Sequence, residues 1–163
     1  MSVVSLTTLL TICFLSTPDS RQVDLSAGAR GPVNGVATSS SPAPRHWMTS
    51  YEEARVIAVR NKLPLLLHFD APWCGACRRM ETEVLNRSEV TAMLGTAVVG
   101  VRVNADHNKD LIAEFGISTL PTEVVVFADG TRGSRYTGAQ DLTAYVARLN
   151  SISGQNQQTI AES

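Results

Sequence analysis

The sequence predicts an α/β domain in which helices alternate with strands, and three observations carry that prediction. Apolar residues recur at helical spacing in several separate windows. Short apolar or β-branched runs lie between those windows, and an Asp-Gly turn joins the last two runs as a hairpin. The expected order over residues 46–150 is α-β-α-β-α-β-β-α.

Ser50 followed by Glu53 makes a capping box, and Tyr51, Ala54, Ile57 and Ala58 then mark one helical face up to about Asn61. Leu65 to Phe69 is a short apolar run, read as a strand, that ends in a loop holding Cys74. From Gly75 to Asn86 the apolar positions Ala76, Met80, Val84 and Leu85 have helical spacing. Ser88 can cap a short helix through Leu94, after which "AVVGVRVN" at 97–104 has the β-branched density of a buried strand. Asn108 is placed to cap "KDLIAEF", and Gly116 to stop it. "TEVVVFADGTRGSRYTG" reads as strand, turn and strand. A last helix runs from Asp141 to Asn150, with Leu142, Tyr145, Val146 and Leu149 on one side.

The 163 residues are 44% hydrophobic and 18% charged, which suits one core of the usual ~100 to 150 residues. Fourteen basic against fifteen acidic residues leave a formal charge of −1. So even a balance gives no global field to gather nucleic acid, and none is expected as a partner. The chain opens "MSVVSLTTLLTICFL", an apolar run of secretory length, shorter than the ~20 residues of a comfortable membrane helix. Residues 1–25 are therefore expected to be a signal peptide or N-terminal membrane-targeting segment, and the protein exported, periplasmic or envelope-associated. "LTIC" ending at Cys13 is similar to a lipoprotein signal, although Ile12 is bulky where such signals take a small residue. A membrane tether through the N-terminus stays open. Residues 26–45, "SAGARGPVNGVATSSSPAPR", read as a flexible linker, and the polar residues 151–163 as a disordered tail.

The chemistry concentrates in "WCGAC" at 73–77, where Cys74 stands at the start of a predicted helix and Cys77 one turn later. A thiolate attacks disulfides, and a helix N-terminus lowers a thiol pKa by its unpaired amides and positive dipole end. Arg78 and Arg79 add positive charge nearby. Cys77 is then placed to attack a mixed disulfide formed on Cys74 and release the partner reduced. Two other uses of the pair are weaker. A structural zinc site wants four ligands, whereas the rest of the domain offers only the scattered His46, His68 and His107. A disulfide over so short a loop removes little entropy from the unfolded chain. Haem attachment is excluded, because Arg78 stands where it needs histidine.

"WCGAC" after an apolar strand, "GISTLPT" roughly forty residues on, "VVVFADG" and Gly138 before the last helix together resemble the thioredoxin family. More narrowly, "NKLPLLLHFDAPWCGACRRMETEVL" is similar to exported thioredoxin-like domains related to the C-terminal domain of the bacterial transmembrane thiol-disulfide interchange reductase. The resemblance implies a thioredoxin fold: a central mixed four-stranded sheet flanked by helices, here with an added N-terminal helix. It implies a protein-disulfide reductase with Cys74 as attacking and Cys77 as resolving cysteine, forming a redox-active disulfide. Trp73 would flank them. Pro121 would be the cis-proline, and Leu120 before it would offer its backbone to an extended substrate in the manner of an added strand. Partners would be protein thiols and disulfides, with an upstream dithiol protein as electron donor. No cofactor or metal is called for, since the cysteines are the redox centre.

Three residues depart from the family pattern. His68 stands where thioredoxins bury an aspartate, and a neutral imidazole could accept the Cys77 proton in its place, or simply pack in the sheet. Asp70 stands where thioredoxin has a second tryptophan, which predicts a more polar groove. Gly75-Ala76 replaces Gly-Pro, a pair that tunes potential in the family. Glu81 and His107 read as solvated surface residues. The alternatives to a reductase are a disulfide-forming oxidase or isomerase, and a peptide-binding module using Leu120 and Pro121.

Overall fold

A computed structural model describes residues 42–162; the predicted signal segment, Cys13 and most of the linker lie outside the described residues. Four strands form one mixed sheet in the order β2-β1-β3-β4. β1 (Leu65–Asp70) lies parallel to β2 (Val99–Asn104) and antiparallel to β3 (Thr122–Val126). β3 pairs antiparallel with β4 (Arg132–Thr137) across the Asp129-Gly130 turn, with an irregularity in register between Val124 and Val126. The central position of β1 explains its six consecutive buried residues, "LLLHFD".

Side-chain alternation along β1 divides the core in two. Leu65, Leu67 and Phe69 point to one face, where they pack with Ala54 and Ala58 of α1 (Tyr51–Asn61) and Phe115 of α4 (Lys109–Phe115). Leu66 points to the other, among Met80 of α2 (Gly75–Met80) and Tyr145, Leu149 and Ile152 of α5 (Leu142–Ala161). Burying each of these Leu, Ile, Phe and Met side chains is worth about 1.5–3 kcal/mol relative to exposure. His68 shares the face of Leu66. That parity sets it beneath the helix that carries the cysteines.

The local signals explain most element ends. Ser50 Oγ accepts from the Glu53 amide, and Asp141 caps α5 by accepting from the Ala144 amide. Gly116 closes α4 at φ 60°, a conformation glycine reaches without steric cost. At Gly100 in β2 a Cβ would meet the Trp47 ring at 2.8 Å, so that strand can only be covered by the indole if the residue is glycine.

Several expectations need correction. The tail at 151–163 is not disordered: α5 continues to Ala161, because Ile152 enters the core and Asn156 bonds the Ala128 amide and the Lys62 carbonyl. The linker ends before residue 45, since Ala43 is buried in the core and its carbonyl lies against Gly95. The helix expected over 75–86 changes to π-helical winding at Glu81–Leu85. Ser88 does not cap α3 (Ser88–Thr91); its hydroxyl donates to Glu89, and the helix ends short of Leu94. Asn108 precedes α4 without capping it, its side chain donating instead to the Asn104 carbonyl. Among the described residues no helix is long and apolar enough to cross a membrane.

Candidate active site

β1 delivers the chain to the C-terminal edge of the sheet, and four residues after its end Cys74 stands at the start of α2. The Cys74 amide donates to the Ala71 carbonyl at 3.0 Å, which turns the loop back toward the helix start. Cys74 is the N-cap of α2, at φ −78° and ψ 103°, and its Sγ accepts from the Cys77 amide at 3.1 Å. Once the disulfide opens, that sulfur sits among the unpaired first amides at the positive end of the helix dipole, which favours its thiolate. Arg78 Nη1 donates to the Pro72 carbonyl at 2.5 Å, which keeps a guanidinium beside the loop. Cys74 and Cys77 are joined by a disulfide, with Cα atoms 5.2 Å apart. Both cysteines are buried, with 7% exposure for Cys74 and 3% for Cys77.

Trp73 is 67% exposed and does not pack in the core. Its Nε1 donates to the Asp106 carboxylate at 3.1 and 3.2 Å, which holds the indole beside the cysteines. The Leu120-Pro121 peptide bond is cis. Leu120 packs against the cluster of Ala71, Cys74 and Cys77, while the Pro121 carbonyl accepts from the Gly138 amide at 2.8 Å. Thr122 Oγ1 donates to the Thr119 carbonyl at 2.8 Å, which fixes the turn leading into β3.

On the Cys77 side, a cleft of about 330 Å³ is lined by Asp70, Cys77, Glu81 and Arg102 among others. Arg102 donates to Asp70 Oδ2 from Nε at 2.8 Å and from Nη2 at 2.5 Å, and its Nη1 bonds Glu81. The Arg102 hydrogen bond holds the Glu81 carboxyl below the usual carboxylate range. Asp70 therefore makes this side polar, as expected, but Glu81 is more than a solvated residue. Deeper on the same face, His68 Nδ1 lies 2.9 Å from Glu123 Oε1, its antiparallel neighbour across the sheet. Tyr145 and Arg148 of α5 also donate to Glu123. Burial alone would raise the Glu123 carboxyl, yet the His68 hydrogen bond and the charges around it outweigh burial and hold it low. Among the described residues no three His, Cys, Asp or Glu side chains gather in a way that could hold a metal.

A family model described as thioredoxin matches residues 48–151. The chain belongs to the thioredoxin family. It is 34% identical over 92 residues to thioredoxin from Pyropia yezoensis, a match covering 56% of this chain and 82% of that one. It is 36% identical over 95 residues to protein disulfide isomerase-like 5-3 from Oryza sativa subsp. japonica, covering 58% of this chain but 22% of the rice protein. Among solved structures, a thioredoxin from Thermus thermophilus superposes with a TM-score of 0.60 at 22% identity, over 67% of this chain and 88% of that one. The oxidised Neisseria meningitidis DsbD C-terminal domain superposes at 0.56 and 20% identity, over 65% and 98%. Both structural matches concern the fold. With the Cys74–Cys77 disulfide, this is a thioredoxin-like oxidoreductase, of a family that acts on protein thiols and disulfides.

In this thioredoxin-family chain, the sequence-predicted Cys74, Cys77, Trp73, Leu120 and Pro121 gather at one end of the sheet. His68 lies deeper, committed at Nδ1 to Glu123. Sequence reasoning missed Asp106, Glu123 and Arg148, and read Tyr145 only as part of the apolar face of the last helix. For Glu123 a signal existed, since a carboxylate interrupts the apolar strand "TEVVV"; Arg148 on an amphipathic helix gave none.

Proposed function

We propose that this protein is an exported thiol–disulfide oxidoreductase that reduces protein disulfides. The observation that carries the reading is Cys74 at the N-cap of α2, its Sγ facing the Cys77 amide. In the reduced protein the Cys74 thiolate attacks a substrate disulfide and expels one substrate sulfur as a thiolate. Cys77 then attacks Cys74 Sγ, the mixed disulfide breaks, and the second substrate sulfur leaves with its electron pair. The substrate has gained two electrons and the cysteine pair has lost them, so a dithiol protein must re-reduce the Cys74–Cys77 disulfide. His68 serves as the acceptor of the Cys77 proton.

Substrate docking is assigned to Trp73, Leu120 and Pro121. Among the described residues the Leu120 backbone amide and carbonyl have no partner, which leaves both for an extended segment. The reductive direction rests on the resemblance of residues 61–85 to the exported domains named above, and export on the apolar run at 1–15. Trapping tests the reading. Cys77→Ser, expressed in a bacterial envelope, should accumulate mixed disulfides through Cys74, and Cys74→Ser should not. Capture by the Cys74→Ser variant, or by neither, would sink the assignment. Recovery of partners that need oxidising rather than reducing would reverse the direction.

A further inference from the structure

His68, Glu123, Tyr145 and Arg148 are all buried, and together they make a polar cluster between the sheet and α5. Glu123 Oε1 accepts from Tyr145 Oη at 2.7 Å and faces His68 Nδ1 at 2.9 Å, while Oε2 takes Arg148 Nη2. The Arg148 guanidinium lies 4.2 Å from the Tyr136 ring centroid and 4.5 Å from that of Tyr145. A buried ion pair of this kind is a poor way to gain stability, because apolar residues of similar volume often serve as well or better. Its geometry nevertheless has a chemical consequence. An ionised carboxylate only accepts hydrogen bonds, so the ring nitrogen facing it must carry hydrogen. In a neutral His68 the proton is then on Nδ1, and Nε2 is a bare lone pair. Nε2 is buried and has no hydrogen-bond partner among the described residues.

His68 is on the sheet face that α2 covers, between Leu66, which packs with Met80, and Asp70, which lines the Cys77 cleft. The inward residues of α2 are Cys77 and Met80.

We propose that Glu123, anchored by Arg148 and Tyr145, is a positioning residue that locks His68 with its proton on Nδ1, so that Nε2 takes the Cys77 thiol proton during resolution. The inference rests on the exchange reading given above. His68 Nε2 accepts the proton and the ring becomes an imidazolium paired with Glu123. The Cys77 thiolate forms the Cys74–Cys77 bond, and the bond from Cys74 to the substrate sulfur breaks. The substrate leaves as a thiolate, and the imidazolium returns its proton to that thiolate or to solvent.

The test joins a spectrum to a rate. The ¹⁵N spectrum of His68 in the unmodified oxidised protein, at a pH where the ring is neutral, should show hydrogen on Nδ1 and none on Nε2. Hydrogen on Nε2 overturns the proposal, and no variant has to fold for that result. Stopped-flow then separates first attack from resolution. Glu123→Gln alone strands the Arg148 cation, so it is paired with Arg148→Met. The double variant should slow resolution about tenfold or more, within reach of the ~10²–10⁴ of general-base assistance, and leave first attack unchanged. His68→Leu should do the same. If His68→Leu slows resolution and the double variant does not, the positioning role of Glu123 is lost. If neither does, proton acceptance by His68 is lost as well, while disulfide exchange stands. Absence of any attack by Cys74 in the unmodified protein would instead remove the exchange reading.

Discussion

Cys74 and Cys77 share a helix turn and differ in what surrounds their sulfurs. Cys74 caps the helix, and Cys77, one turn in, lines the cleft of Asp70, Glu81 and Arg102. The Arg102–Glu81 pair makes acid stability a readout of this inner side. Glu81 is held below its ordinary range by the Arg102 hydrogen bond, so its contribution is complete above the unfolded-state value and is lost as pH falls through the lower folded one. Urea midpoints measured from neutral pH downward should therefore fall less in Glu81→Gln than in the parent, and equal slopes would show that the pair does not contribute. His68 itself was legible, as the one imidazole in "LLLHFD". Its pairing with Glu123 was not, because the carboxylate that interrupts "TEVVV" lies 55 residues away and only strand register brings the two together.

At the scale of elements, α5 was legible where its pattern was apolar and illegible where it was polar. Leu142, Tyr145 and Leu149 announce a helix, and Asp141 announces its start. Beyond Asn150 the sequence "SISGQNQQTIAES" offers one buried aliphatic, Ile152, and one buried amide, Asn156. The amide acts by satisfying the Ala128 N–H and the Lys62 carbonyl, a contact that hydrophobic periodicity does not encode. The extension should matter for stability. Ile152→Ala removes a side chain that is 1% exposed, and a change of this type costs about 2–5 kcal/mol. Asn156→Ala removes the two hydrogen bonds that tie α5 to the Ala128 N–H and the Lys62 carbonyl, at about 0.5–1.5 kcal/mol each. A chain ending at Asn150 should show a urea midpoint well below that of the full chain, and an unchanged midpoint would make the last three turns dispensable. The π-helical winding after Met80 was equally unreadable, since Val84 and Leu85 are apolar in either winding.

In the molecule as a whole, one sheet separates two tasks. The face covered by α1 and α4 is apolar packing, whereas the face covered by α2 and α5 holds the cysteine helix and, below it, the polar cluster of His68 and Glu123. The strand order, the hairpin and the helix that starts at Gly75 all bring Cys74, Trp73 and the Leu120-Pro121 turn to one end; the cysteines there were legible from their spacing and the helix start, whereas Trp73, Leu120 and Pro121 were legible only through the family resemblance. The central claim is that this placement makes Cys74 the nucleophile. It is tested most directly by the rate of iodoacetamide alkylation of the fully reduced protein as a function of pH, with the modified cysteine identified by peptide mass. Cys74 should react first, with a half-point below the ~8.5 of a free thiol and within the range of about 3.5–7.5 seen at helix N-termini, while Cys77 stays protected at neutral pH. Faster reaction at Cys77, or a Cys74 half-point no lower than a free thiol, would contradict the account.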